Sequence, residues 1–114
     1  MHELGIVFYI IDDVKEVAAN NAVTSVRRVT LDVGEVSGVV GDLLQDAWTW
    51  ACEKEPLMQG CELDVQEQPA VTLCEDCGLE YATVKHGRTC PACGSPRTHL
   101  LHGREVMIRE IEAY

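Results

Sequence analysis

Two pairs of cysteines constrain this chain more than any other feature of its sequence. Cys74 and Cys77 form one C-x2-C pair, Cys90 and Cys93 form another, and 12 residues separate the two pairs. A two-residue gap lets both thiolates of a tight turn face one ion, and two such turns offer four sulfurs in the tetrahedral geometry of structural zinc. The glycine that follows each pair permits the positive φ that such a turn tends to require. The spacing therefore predicts a closed zinc site that builds structure and leaves no position open for catalysis.

The identity of the metal depends partly on the compartment. The first residues, Met1 to Glu3, carry no lysine or arginine, and the longest apolar stretch, residues 4–11, is far shorter than the roughly 20 residues that a bilayer helix needs. We therefore expect a cytoplasmic protein without a membrane segment, in which reducing conditions favour metal ligation over disulfides. Iron in a rubredoxin-like site is the alternative. Three histidines near the cysteines are expected to be exposed polar residues, although a pH-sensitive exchange with a cysteine ligand stays open: His86, His99 and His102.

The hydrophobic pattern outside the cysteine pairs predicts an α+β fold. Apolar residues at helical spacing predict a helix over 4–20, and alternation predicts strands over 26–34, 61–67 and 104–111. Asp42 stands where an N-cap is expected for a second helix that runs to about Lys54. We expect two helices packed on a small sheet of about three strands, with an inserted zinc-ribbon-like domain. The predicted domains are 1–73 plus 98–114, which form the α/β domain, and 74–97, which form the four-cysteine domain.

Charge and motif content exclude several functions. The formal net charge of the 114 residues is −10, and residues 1–73 hold 13 acidic against 4 basic side chains. Such a surface repels the phosphate backbone of nucleic acids and anionic membranes. The sequence contains neither a phosphate-binding loop nor a Ser/His/Asp or H-E-x-x-H arrangement. We therefore expect a protein that is not an enzyme and that binds no nucleic acid or membrane.

Four further residues are predicted to serve packing. Cys52 and Cys61 are expected to be buried free thiols that act as small apolar side chains. Trp48 and Trp50 stand two positions apart on the second helix and cannot point the same way. One tryptophan should therefore lie in the core, and the other should be exposed or at an interface.

The first three residues form a candidate binding site for a second metal. In Met1-His2-Glu3 the α-amine, the amide nitrogen of His2 and its imidazole can converge on one cation. The amide of Glu3 or a nearby carboxylate can complete the set. A nitrogen-rich, square-planar arrangement suits Ni(II) or Cu(II) better than zinc or magnesium. Taken alone, a histidine at position 2 is more often an incidental surface residue.

The motifs together resemble a known family. Met-His-Glu-Leu at the start, Val-Gly-Glu-Val-Ser-Gly-Val over 33–39 and the late cysteine pairs resemble the hydrogenase nickel-incorporation proteins of the HypA/HybF type, over essentially the whole chain. The resemblance implies a nickel metallochaperone for maturation of [NiFe]-hydrogenase. It also implies two partners, the accessory GTPase HypB and the hydrogenase large-subunit precursor. Whether the recipient is a hydrogenase or urease stays open, as does the choice between monomer and homodimer.

The resemblance also implies the ligands of both metals. Nickel would be bound by the Met1 amine, by the side chain and backbone of His2, and by the backbone of Glu3. Zinc would be bound by the four cysteines. Many family members carry an acidic residue where this chain has Val40. Asp42 either compensates for that loss or caps the second helix, and we favour the cap. The alternative function is a zinc-ribbon module that recognises a protein or nucleic acid, and a small electron-transfer protein with iron is a third.

Overall fold

The computed structural model describes residues 3–114. It contains three α-helices, one short 3-10 helix and six strands. In chain order they are α1 (Glu3–Asn20), β1 (Val26–Gly34), α2 (Gly41–Cys52), the 3-10 helix (Pro56–Met58), β2 (Glu62–Gln68), β3 (Val71–Cys74), β4 (Glu80–Ala82), α3 (Thr83–His86), β5 (Thr98–His102) and β6 (Val106–Ala113). The strands form two three-stranded sheets, with the orders β2-β1-β6 and β4-β3-β5. The predicted α+β class is confirmed. Within residues 3–114, no helix is long and apolar enough to cross a bilayer.

The chain divides into two compact units. The first comprises residues 3–31, 39–66 and 107–114, and the second comprises Asp32–Gly38 and Glu67–Val106. The second unit therefore holds the four cysteines together with β3 and β5 on either side of them. Whether 74–97 alone behaves as a domain stays a prediction.

Helix α1 forms because its apolar residues recur every three or four positions. Val7, Ile10, Ile11 and Val14 are all buried, as the stripe predicts. Val17 is the exception, because 45% of it is exposed. The stripe packs against α2 and contributes buried side chains to the core of the first unit.

The two long helices lie side by side and run in the same direction. The Glu3 carboxylate at the start of α1 accepts the N–H of Val40, 3.1 Å away, just before α2 begins. Towards the other end, Lys15 pairs with Glu55 at 3.0 Å. These two contacts fix both ends of the pair, so that the start of α1 adjoins the start of α2.

The start of α2 differs from the prediction. Its N-cap is Val40, which has no side-chain cap, and Asp42 lies within the first turn of the helix. The prediction that Asp42 is the N-cap is therefore wrong. The Glu3 carboxylate accepts the N–H of the N-cap residue itself, one of the N–H groups at a helix start that have no partner within the helix. Asp42 still lies in the turn where a negative charge is favourable to the helix dipole.

The tryptophan and thiol predictions are confirmed. Trp48 is 1% exposed and donates its indole N–H to the carbonyl of Cys61 at 3.1 Å, whereas Trp50 is 47% exposed. Cys52 and Cys61 are buried free thiols.

Three backbone segments meet closely within the second unit. Gly34 donates its N–H to the carbonyl of Glu105 at 2.8 Å, and the Glu35 carboxylate accepts the N–H of Ala70 at 3.0 Å. A Cβ on Gly34 would overlap the carbonyl group of Gly103. A strand glycine often marks such a close backbone approach, and here it allows the end of β1 to contact the turn between β5 and β6.

The final strand returns to the main sheet, as the sequence predicts, because β6 lies beside β1. The predicted strands over 61–67 and 104–111 are found one to two residues later, as Glu62–Gln68 and Val106–Ala113. The sequence did not predict the second sheet. Its strand β3 pairs antiparallel with both β4 and β5. Strands of three to five residues are too short to show a clear alternation of apolar and polar residues.

Candidate metal centre

The four cysteines of the C-x2-C pairs converge in the structure. The Sγ atoms of Cys74 and Cys93 lie 3.6 Å apart, as do those of Cys77 and Cys90, and all four sulfurs lie within 4.8 Å of one another. Sulfurs about 2.3 Å from a tetrahedral ion would lie about 3.8 Å apart. The donor set and its spacing therefore fit a single four-thiolate metal ion.

Two equivalent turns create this geometry. In the first, the N–H of Gly78 donates to the carbonyl of Cys74 at 2.9 Å, and in the second, Gly94 donates to Cys90 at the same distance. Both glycines have positive φ, 77° and 74°, which a residue with a Cβ adopts only with strain. Each turn presents its two sulfurs to the same side, which is what the spacing and the following glycines predict.

Backbone N–H groups already favour thiolate at one of the sulfurs. The N–H of Cys93 lowers the pKa of Cys90 to about 7, and the N–H of Ala92 adds to the lowering. Because a metal ligand must be deprotonated, this arrangement reduces the cost of forming one of the four thiolates.

A network of polar side chains joins the two turns, and sequence reasoning missed it. Asp76, inside the first pair, accepts hydrogen bonds from the Ser95 hydroxyl and from the Arg97 guanidinium, which is 2.9 Å away. The backbone N–H of Glu75 donates to the carbonyl of Arg97 at 2.8 Å. The sequence did contain a signal for this network. An acid stands inside the first cysteine pair, and complementary hydrogen-bond donors follow the second pair.

The three neighbouring histidines stand apart from the sulfur cluster. The His86 ring contacts Tyr81 edge to face, with 5.9 Å between centroids, and His99 lies 3.6 Å from the Glu75 carboxylate. His102 lies at the end of β5. Across residues 3–114, the four cysteines are the one set of three or more potential ligands with their ligand atoms close together.

The predicted nickel ligands Met1 and His2 lie outside the described residues. Glu3 is described, and its carboxylate is occupied by the N–H of Val40. This hydrogen bond holds the pKa of the Glu3 carboxyl below its ordinary value. The carboxylate is thus ionised at neutral pH and held against the start of α2.

Comparison with known proteins decides the family. The family model described as hydrogenase/urease nickel incorporation, metallochaperone, HypA matches residues 1–113. The chain belongs to the HypA family. HypA-family proteins are metallochaperones, not enzymes. Hydrogenase maturation factor HypA of Chlorobium phaeobacteroides is 38% identical over 111 residues, covering 97% of each chain.

Other HypA-family members agree with this assignment. The HypA of Chloroflexus aurantiacus is 37% identical, and hydrogenase maturation factor HybF of Klebsiella pneumoniae is 31% identical, each over 98% of both chains. The solution structure of the Ni metallochaperone HypA from Helicobacter pylori superposes with a TM-score of 0.74. It covers 99% of this chain and 97% of its own at 23% identity, so that the likeness concerns the fold.

The two buried thiols outside the sulfur cluster give a test of the first unit. Burial raises the pKa of Cys52 to about 12 and that of Cys61 to about 11. Since only thiolate reacts with iodoacetamide, both should resist alkylation at pH 8 in the folded protein and react once urea unfolds it. Because the folded pKa values are raised, their contribution to stability is present below the unfolded thiol pKa of about 8.5 and is lost as pH rises through the folded values. Peptide mapping by mass spectrometry measures the labelling, and alkylation of Cys52 as fast as free glutathione would contradict the prediction.

Proposed function

We propose that this chain is a nickel metallochaperone that binds Ni(II) at its N-terminus and passes it to the large-subunit precursor of a [NiFe]-hydrogenase, together with the accessory GTPase HypB. The observation that carries this proposal is the family match over residues 1–113, on a chain that begins Met-His-Glu. Relatives named hydrogenase maturation factor, aligned over nearly their whole length, support it. We place the process in the cytoplasm, where reducing conditions keep thiols available for metal.

The proposed nickel ligands are the Met1 amine, the His2 imidazole and backbone nitrogen, and the Glu3 backbone nitrogen. Such a nitrogen-rich set suits the tetragonal coordination of Ni(II). The contact between the Glu3 carboxylate and Val40 supports backbone ligation at Glu3, because the side chain already has a partner. Asp42 has no capping role, so it is available as a source of a further oxygen ligand.

The proposed resident metal is zinc, bound by Cys74, Cys77, Cys90 and Cys93. Four thiolates in near-tetrahedral spacing leave no open coordination position, which suits a structural ion. Iron in the same cluster would colour the protein red, whereas zinc leaves it colourless. Elemental analysis of the purified chain, read beside its visible spectrum, separates the two metals.

Transfer requires a site that holds nickel selectively and releases it to a partner. Ligands at a chain end can be removed one after another by competing ligands, whereas a closed cage would have to open first. The acidic character of residues 1–73 supports accumulation of cations near this end. The proposed transfer is therefore an exchange of ligands between two proteins, without a chemical reaction on a substrate.

The nickel proposal depends most on His2, which is proposed to bind the ion through its imidazole and its backbone nitrogen. In untagged protein, His2→Ala should weaken Ni(II) binding by more than the roughly 10- to 100-fold loss that follows removal of an outer-sphere partner, because it removes a direct ligand. Calorimetric titration with Ni(II) measures this. His102→Ala, which removes a histidine from β5, is the matched control and should bind nickel like the parent. Equal nickel affinity in the parent and His2→Ala would exclude the N-terminal site.

The recipient is tested in cells. Deleting the gene from its source organism should lower hydrogenase activity, and excess nickel in the medium should partly restore it. If urease activity falls and hydrogenase activity does not, the recipient is urease, which the family description also names. Complementation with His2→Ala should fail while complementation with His102→Ala succeeds.

A further inference from the structure

A cavity of about 530 Å³ in the second unit has an unusual charge for this protein. Its lining comprises Val36, Thr72, Thr83, Arg88, Pro96, Thr98, His99, Leu100 and Arg104. The chain has 19 acidic residues and 9 lysines and arginines, yet this lining contains two arginines and no carboxylate. We propose that the cavity binds a phosphate group. None of the four cysteines lines this cavity.

The two arginines are available for a ligand. Three other cations of the described residues, Lys15, Arg28 and Arg97, are paired with carboxylates. Within residues 3–114, neither Arg88 nor Arg104 forms an ion pair through its guanidinium. A guanidinium presents donors in a fixed fork that matches two oxygens of a phosphate. Two unpaired guanidinium groups on one cavity therefore match the charge of a phosphate dianion.

Hydroxyl groups complete the polar wall. Thr72 and Thr83 share one hydrogen bond, with 2.6 Å between their Oγ1 atoms. Only one hydroxyl hydrogen lies between them, so the other remains free to donate to an acceptor in the cavity. Thr98 has a different role, because its hydroxyl donates to the backbone carbonyl of Arg88 at 2.6 Å. That hydrogen bond fixes the backbone that carries one of the two guanidinium groups.

The sheet explains why these side chains share one surface. Thr72 of β3 lies directly opposite Leu100 of β5, and Thr98 precedes Leu100 by two positions. Side chains two positions apart on a strand point to the same face, so the three line one side of the sheet. His99 is also a lining residue, but its Nδ1 faces the Glu75 carboxylate. The phosphate proposal therefore relies on the arginines and hydroxyl groups, and not on a charge on His99.

The experiment titrates the full-length, metal-loaded protein with inorganic phosphate at constant ionic strength, followed by amide shifts in NMR spectra. Saturable shifts at residues around the cavity are expected. Arg88→Gln and Arg104→Gln should each weaken binding about tenfold, the loss expected for one charge-assisted hydrogen bond. Arg27→Gln removes the same charge from β1 in the first unit and should bind phosphate like the parent.

A second titration with adenosine monophosphate distinguishes the source of the phosphate group. Tighter binding of the nucleotide indicates a phosphate carried on an organic body, since Val36, Pro96 and Leu100 supply apolar surface beside the arginines. Equal affinity for inorganic phosphate and for the nucleotide indicates that the ligand is free phosphate. Either result supports the proposed site. Three results overturn the proposal: no saturable shift at millimolar phosphate, equal shifts with chloride or acetate, or unchanged phosphate affinity in both arginine variants. Elemental analysis of each variant verifies that the metal is retained, so that a failure of the four-cysteine proposal is recognised separately.

Discussion

Cys74→Ser should lose the zinc and unfold residues 74–97, while the helices of the first unit remain. Cys74 is fully buried in a cluster whose other members are Tyr81 and Cys90, so two of its three residues are proposed zinc ligands. A segment with so little apolar core depends on its metal, and structural zinc supplies about 10–16 kcal/mol of apparent binding energy in zinc-finger peptides. Zinc content by elemental analysis should fall from about one ion per chain towards zero.

The expected loss of structure is local. Amide signals of the two cysteine turns should collapse to unfolded positions, whereas those of α1 and α2 should stay dispersed. Cys52→Ser is the matched control, because it exchanges another buried cysteine that lies outside the cluster. That variant should retain its zinc. Undiminished zinc in Cys74→Ser would rule out the four-cysteine assignment, and collapse of α1 and α2 as well would rule out the predicted independence of 74–97.

Gly34→Ala should be among the most destabilising single substitutions in the chain. The added Cβ would overlap the carbonyl group of Gly103 and would lie 2.7 Å from the backbone nitrogen of Arg104. Backbone atoms cannot move aside by rotating a side chain, so the three segments that meet there must separate. We expect a loss of about 3 kcal/mol, at the upper end of the cost of overpacking. Thermal unfolding should show a fall in Tm on the order of 10 °C.

The control for this substitution is Gly60→Ala. Gly60 has a φ of 71°, and nothing lies within 4 Å of the position that its Cβ would take. Its replacement should cost only the backbone strain of about 1–2 kcal/mol. A smaller loss in Gly34→Ala than in Gly60→Ala would show that the close backbone approach relaxes at little cost.

The elements that the sequence predicts well are those with long local patterns. Helix α1 follows from its apolar stripe, and the pattern fails only at Val17, which is exposed although the next residue, Ala18, is buried. The convergence of the four sulfurs follows from two short turns whose geometry each cysteine pair and its glycine determine locally. Such features need no knowledge of distant residues.

The features that the sequence did not predict depend on distant residues. The carboxylate that accepts the N–H of Val40 at the start of α2 belongs to Glu3, 37 residues earlier. The local sequence pattern could not show this contact and indicated Asp42 as the cap instead. Strands β3, β4 and β5 are defined by pairing with one another and are too short to reveal an alternation. The cavity with Arg88 and Arg104 likewise combines residues from several elements. Neither the sequence nor residues 3–114 place the Met1 and His2 ligands, which stay a prediction for the nickel titration.

The contact between Glu3 and Val40 has a mechanical consequence. One carboxylate belongs to the first turn of α1 and accepts the N–H of Val40, the residue just before α2, so these two helix starts are mechanically coupled. Lifting the first turn of α1 would leave the Val40 N–H without its acceptor, at the cost of an exposed or unsatisfied donor. A protein that displaces Glu3 would therefore also break the hydrogen bond at the beginning of α2, 37 positions along the chain.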